Sequence, residues 1–340
     1  TGNGWGYHFP QDLSYVHPAL NQHGHTDITR AHVEFYHSRI DNQRALTREI
    51  YDRPGICWSW EFPIGPDARL FRPEDGGAPN EFQYEVHNAA YPARMADDTA
   101  AALGDPAWTR EIAWPVIRES ARFLASCLSL ESDGTFSFQV TPSMGQDEFG
   151  GQNAKNYLCA LFATEYTLGR AVALARELGL SDTESAHWEH VLQAGLAYRR
   201  LLMPERGFYA ANEPITFVPR QQKHPVQLNP LWILPFKKID EPTRQAYLQR
   251  RVICSTERDN QRHPGVPTGF YDGWTLFAFQ LSAATSGDAV GLAHELSEML
   301  PSRLVDPTHI AIYESSGYWC PYYTTSMGLF LQAICTAAKG

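Results

Sequence analysis

Apolar residues along this chain recur at mixed spacings of three and four, the period of an amphipathic helix, and rarely alternate with polar ones. The clearest run, 28–50 (ITRAHVEFYHSRIDNQRALTREI), sets its charges between the apolar positions. The same period predicts helices over 82–103, 107–130, 154–179, 182–203, 229–238, 241–256, 273–285, 289–300 and 325–338, with a shorter one near 12–20. Gly104-Asp105-Pro106 is a stop signal, and Ser181-Asp182 is an N-cap pair for the helix that follows. Strands are expected only as short pieces beside turns, at 135–140 (TFSFQV) and 206–210 (RGFYA).

The punctuation alternates. Short Gly/Asp joints (LGDPAW at 103–108, LGLSDTE at 178–184, TSGDAV at 285–290) take turns with long loops rich in Gly, Pro and aromatics (53–81, 131–153, 204–228, 257–272, 301–324). Antiparallel helical hairpins arranged in a ring produce that alternation, with the long loops collected at one end to build a site. The expected fold is therefore all-α, an (α/α)6 barrel spanning 1–340 as one catalytic domain. About eleven helices are predicted against the twelve of such a barrel, so the first helix is expected to be absent. The abrupt opening TGNGWGYHF reads as an interior piece of a longer chain.

Composition narrows the function. With 43% hydrophobic residues and a formal charge of -10, the chain carries an ample core and no basic stripe for nucleic acid. No run of about 18 apolar residues is evident, so no membrane span is expected. The six cysteines show no C-x-x-C spacing, and several fall in apolar helical runs as small hydrophobes. His23 with His25, and His187 with His190, lack a zinc-protease spacing; no metal and no cofactor are expected. Serine-nucleophile and phosphate-loop motifs are absent as well.

The long loops hold the acids and aromatics: CWSWEFPIGPD at 57–67, TPSMGQDEFGGQN at 141–153, GVPTGFYDGW at 265–274 and YESSGYWCPYY at 313–323. Crowning one end of a ring, they line an acidic, aromatic pocket suited to a neutral polyhydroxylated ligand, whose hydroxyls need carboxylate partners and whose flat faces stack on rings. Asp147-Glu148 stands out between glycines. Two adjacent carboxylates raise one another's pKa, which keeps one of them protonated as a general acid. The plain alternative is a helix N-cap for 154–179. Glu85 and His87 lie two apart on a predicted helix, where they do not share a face, so one of them is expected to be structural.

The segment order resembles the catalytic barrel of glycoside hydrolase family 65, the α-glucoside phosphorylases and related hydrolases, over most of the chain. GYHFPQDLSYVHP (6–18) is similar to the family's sugar-pocket segment, with Asp12 retained and Gln11 where Trp is usual. WSWEFPIGPD (58–67) resembles its Pro-Trp-Glu loop, which brings in Trp58, Trp60 and Glu61, and YEVHNAAY (84–91) its Glu-x-His helix, with Glu85 and His87. GQDEFGGQNAKN (145–156) resembles the loop carrying the general acid, which lands on Glu148 beside Asp147. RQQKHPVQLNP (220–230) is similar to a Lys-Gln segment near the same sugar, which implies Lys223 and His224. The family's phosphate loop is replaced by YESSGYWCPYYTTSMG (313–328), with Glu314, and Trp319 beside it. A carboxylate there repels phosphate and can deprotonate water. The resemblance covers the barrel only, so an N-terminal β-sandwich domain, or a partner chain in its place, is expected ahead of it.

The expected activity is thus an inverting glycoside hydrolase on an α-linked glucoside, with Glu148 as acid. Glu314 is the first candidate base, Asp272 the second and Glu61 a distant third. Inversion needs the two carboxyls about 6.5–9.5 Å apart. Three alternatives stand beside it: an α-glucoside phosphorylase, a sugar epimerase or isomerase using His87, His224 or His263, and a non-catalytic carbohydrate-binding subunit.

Overall fold

A computed structural model describes residues 7–60, 62–63, 84–146, 151–254, 271 and 273–339. Helices carry the chain. The first three are α1 (Pro10–Gln22), α2 (Thr26–Ser38) and α3 (Ile40–Tyr51). The single helix predicted over 28–50 is therefore two, broken at Arg39 (φ -101°, ψ 0°), where the Ser38 hydroxyl turns back onto the Phe35 carbonyl. α4 (Ala90–Leu103) stops at Gly104 in the left-handed region, and the Asp105 carboxylate caps α5 (Pro106–Trp108). A π turn, Thr109–Ala113, leads into α6 (Trp114–Ser126), whose Pro115 has no N–H to continue the α ladder.

α7 (Leu158–Glu177) is followed by α8 (Thr183–Ala194), which opens on a capping box between Asp182 and Ser185. Past Pro225 come α9 (Asn229–Trp232), α10 (Glu241–Leu248) and α11 (Arg250–Ile253). The helix expected over 229–238 is a single turn, because Pro235 disfavours an α conformation at Leu234 just before it. α12 (Thr275–Thr285), α13 (Ala289–Ser297) and α14 (Thr324–Ala337) complete the set.

Strand pairing takes the tails of two predicted helices. β3 (Leu128–Leu130) pairs with β4 (Phe136–Phe138), so 107–130 ends as helix at Ser126. β5 (Leu202–Met203) pairs with β6 (Phe208–Tyr209), and 182–203 ends at Gly195, φ 90°. β1 (Tyr7–His8) with β2 (Phe62–Pro63), and β7 (Tyr313–Ser315) with β8 (Trp319–Pro321), are the other hairpin-sized pairs among the described residues.

The helices close a ring. α1 packs on α4, α4 on α7, α7 on α9, α9 on α12, α12 on α14, and α14 back on α1. Outside this inner wall, α2 lies on α4, α6 bridges α4 and α7, α8 covers α7 and α13 covers α12. The expected (α/α)6 architecture of helical hairpins is what the chain builds. α12 buries every residue from Thr275 to Ala283, as a helix apolar on all sides must. At the α1–α14 seam Gly328 is obligatory, since a Cβ there would stand 2.8 Å from the Val16 Cα. α7 is the one described helix long and apolar enough to cross a membrane, and 78% of that window is buried, as befits an inner wall.

Candidate active site

The long loops precede the N-terminal ends of the inner helices, and the described side chains at those ends reach one another. On α1, Pro10 opens the helix and places Gln11 and Asp12 in the first turn, both buried. Asp12 Oδ1 accepts hydrogen bonds from the Tyr323 hydroxyl and, at 2.8 Å, from the Thr325 hydroxyl at the start of α14. Burial holds the Asp12 carboxyl above its ordinary range, against the pull of those two donors. Gln11 Oε1 sits 2.9 Å from His87 Nε2, which is also 3.3 Å from Glu85 Oε2. Both partners are oxygens, so the imidazole proton belongs on Nε2.

The Glu85–His87 contact overturns the expectation that two residues so spaced cannot share a face. Glu85 stands just ahead of a 3-10 helix, Val86–Ala89, with an extended backbone (φ -67°, ψ 90°). Its side chain turns inward with that of His87. Both are almost fully buried.

Gln146 joins three walls. Its amide donates to the hydroxyls of Tyr15 (3.3 Å) on α1 and Tyr91 (3.4 Å) on α4, and accepts from Asn229 Nδ2 (2.8 Å) on α9. The next residues are Asp147 and Glu148, which lie outside the described residues, as do Glu61, His263 and Asp272. The base of this loop is pinned. Met144 bridges Gln152, and Ser143 N–H donates to Asn153 Oδ1 at 2.9 Å. Tyr157 OH accepts from Ala154 N–H (2.9 Å) and lies 3.1 Å from the Gly151 carbonyl. Gly145 packs so tightly on the Tyr157 ring that a Cβ would come within 2.5 Å of it. Residues 154–157, predicted as helix, are spent on this anchor, which is why α7 begins at Leu158.

His224 stacks on Trp274 with 4.0 Å between ring centroids and 12° between planes. Gly273, at φ 57°, lets it fit, since a Cβ would lie 3.1 Å from the imidazole. Burial pushes His224 well below its ordinary pKa, helped by Lys223 and His87, so it is neutral here. The Lys223 carbonyl accepts from the Thr275 hydroxyl at 3.0 Å, tying this segment to α12. Ser315 Oγ accepts from Gly273 N–H at 3.0 Å, tying β7 to the same end.

Glu314 lies between the β7–β8 register pairs Tyr313–Pro321 and Ser315–Trp319, opposite Cys320. Burial and the facing Glu314 push the Cys320 thiol up to about 12. Tyr323 is raised well above its ordinary value, first by burial and then by Asp12 and Glu314. Glu314 and Asp12 thus bear on the same phenol. Tyr318, Cys320 and Tyr322 all take φ between 56° and 65°, a conformation that costs about 1–3 kcal/mol per residue and gathers at functional sites.

The structure therefore brings Asp12, Glu85, His87, Lys223, His224 and Glu314 to one end of the ring. Trp60 lies nearby, half-buried with its ring 4.8 Å from that of Phe9. Trp319 contributes its backbone to β8. Trp58 is different: it is 0% exposed, its indole N–H donates to the Ser120 hydroxyl, and its ring packs on Tyr36. It offers no face to a ligand.

Sequence reasoning passed over Gln146, Tyr15, Tyr91, Asn229 and Trp274. Each is a polar or aromatic residue in or beside an apolar helical run, where packing explains it equally well. Only the adjacency of Gln146 to the acid pair gave a hint.

No family model matches the chain, and no curated protein matches it by sequence. Solved structures do resemble it. A candidate kojibiose phosphorylase from the human microbiome superimposes with TM-score 0.66 and 12% identity, over 98% of this chain and 46% of its own. A rhamnosidase from Klebsiella oxytoca with rhamnose bound gives 0.56 and 13%, over 97% and 58%. A wild-type glycosidase gives 0.57 and 13%, over 98% and 88%. The chain spans about half the length of the first two. At such identities the shared property is the fold, a closed ring of helical hairpins.

Proposed function

We propose that this chain is an inverting glycoside hydrolase of an α-linked glucoside, with Glu148 as general acid and Glu314 as the base that activates water. Asp272 is the second candidate for the base. The observation that supports this most is the buried polar network drawn from the N-terminal ends of the inner helices, with Gln146 as the member from which the acid loop departs. A neutral sugar offers hydroxyls that donate to carboxylates and accept from N–H groups. Asp12, Glu85 and Asp147 are such acceptors, Lys223 and His87 carry donors, and Trp60 and Trp319 are candidates for stacking. The names of the structural neighbours, a phosphorylase and two glycosidases, fit the same bond class.

The epimerase reading is less well served. It needs imidazole bases open to a substrate, whereas His87 Nε2 faces two oxygens and His224 is buried with its ring stacked on Trp274. Phosphorolysis remains the runner-up, because one of the similar structures carries that name.

A panel of α-linked glucose disaccharides, followed by NMR, tests the proposal. Hydrolysis with β-glucose as the first-formed anomer is the expected result. α-Glucose as the first product means retention and removes the base. No cleavage of any α-glucoside, with tight binding, leaves a sugar-binding subunit.

Asp12→Asn separates binding from stability. The folded Asp12 pKa is raised, so its ionisation opposes folding once pH climbs through that value. Asparagine keeps an acceptor for Tyr323 and Thr325 and removes the buried charge. The variant is therefore expected to melt higher than wild type at neutral pH, with the gap closing below pH 3.8. Its turnover should fall about 10–150-fold, the worth of a charged hydrogen bond of about 1.5–3 kcal/mol. Unchanged activity would remove Asp12 from the sugar site.

A further inference from the structure

A concave surface adjoins the outgoing limb of the acid loop. It has a volume of about 830 Å³, within the roughly 300–1,000 Å³ range of small-molecule sites. One wall is 152–155, the outgoing limb of the acid loop; the other is 212–216. Its floor is rigid, because Lys155 and Glu213 pair as an isolated bridge, and Asn156 Nδ2 donates to Glu213 Oε2 at 3.3 Å.

The lining indicates the chemistry. Lys155 and Arg200 both reach Glu131, one carboxylate oxygen each, so the two cations are already matched by an acid. With Glu213 beside them the surface is close to charge-balanced, a poor cradle for phosphate. Gln152, Asn153 and Asn212 add amides, while Pro214 and the 45%-exposed Ile215 supply an apolar strip. Amides flanking an apolar strip suit the hydroxyl edges and C–H faces of a sugar ring.

Position supplies the rest. Gly151 lies three positions after Glu148, a reach of at most about 11 Å at full extension. A general acid stands on the leaving-group side of the bond it protonates. We infer that this cleft holds the leaving-group portion of the substrate, and that the enzyme acts on α-glucosides longer than a disaccharide. The inference rests on the hydrolase reading above and adds to it a second sugar-binding surface.

The test compares α-linked gluco-oligosaccharides from the disaccharide to the tetrasaccharide, in wild type and in Thr216→Trp and Gln152→Trp. These two variants fill the cleft from opposite walls. In wild type kcat/KM should rise about tenfold or more with length, an amount that a few added contacts provide. Each variant should collapse that ratio toward one. Calorimetric titration with the tetrasaccharide should show the same loss of affinity without relying on turnover. A flat length profile, an equal loss at all lengths, or unaltered tetrasaccharide binding in both variants would overturn the inference while leaving hydrolysis intact. If no α-glucoside of any length is cleaved or bound, the hydrolase reading itself fails, and the inference falls with it.

Discussion

Glu148→Gln should slow hydrolysis of an unactivated disaccharide by about 10²–10⁴-fold, the usual contribution of general acid catalysis. Glutamine keeps the size and hydrogen bonding of the side chain but has no proton to give. The leaving sugar must then depart as an alkoxide. Replacing that sugar by a good leaving group, such as a nitrophenolate, removes the need for protonation, so the variant should retain far more of its activity there. This contrast distinguishes an acid from a residue that merely holds the loop, which would impair both substrates alike. The root of the loop is independently secured by Asn153, Tyr157 and Gln146. The substitution should therefore leave the melting temperature nearly unchanged. Normal cleavage of the disaccharide by this variant would transfer the acid role to Asp147 or elsewhere.

Glu314→Ala should abolish turnover on the same scale, and added azide should partly restore it by taking the place of the activated water. The companion expectation is that phosphate leaves the rate unaltered and that free glucose, not glucose 1-phosphate, accumulates. A carboxylate beside an incoming anion opposes it by about 4 kcal/mol per pair of unit charges at about 4 Å and an effective dielectric near 20. Glu314 faces Cys320 across its hairpin and acts on Tyr323, whose hydroxyl donates to Asp12. It therefore belongs to the end of the ring that holds the other acids. Accumulation of glucose 1-phosphate would make the chain a phosphorylase with Glu314 in some other role. Normal hydrolysis by the alanine variant would move the base to Asp272.

What this sequence determined by itself was local. The Gly104-Asp105 joint and the Asp182 cap are set by residues within a few positions of one another, and both appear where the pattern placed them; helix period placed the helices but not all of their ends. The alternation of short joints and long loops already implied a ring, because it dictates which helix ends lie together. Where helix period failed, a nearby proline or a competing contact had decided. Leu128–Leu130 leaves its helix to pair with Phe136–Phe138, and residues 154–157 give up helix to anchor a loop. Trp58 and Trp60, two residues apart in one motif, part ways: one is sealed in the core and the other remains half-buried beside Phe9. The site is the extreme case. Asp12 meets Thr325 across 313 positions, and Gln146 meets Asn229 across 83. No period or spacing encodes such meetings. They follow from closing the ring, which lines up the inner helix ends and sets their polar side chains against one another.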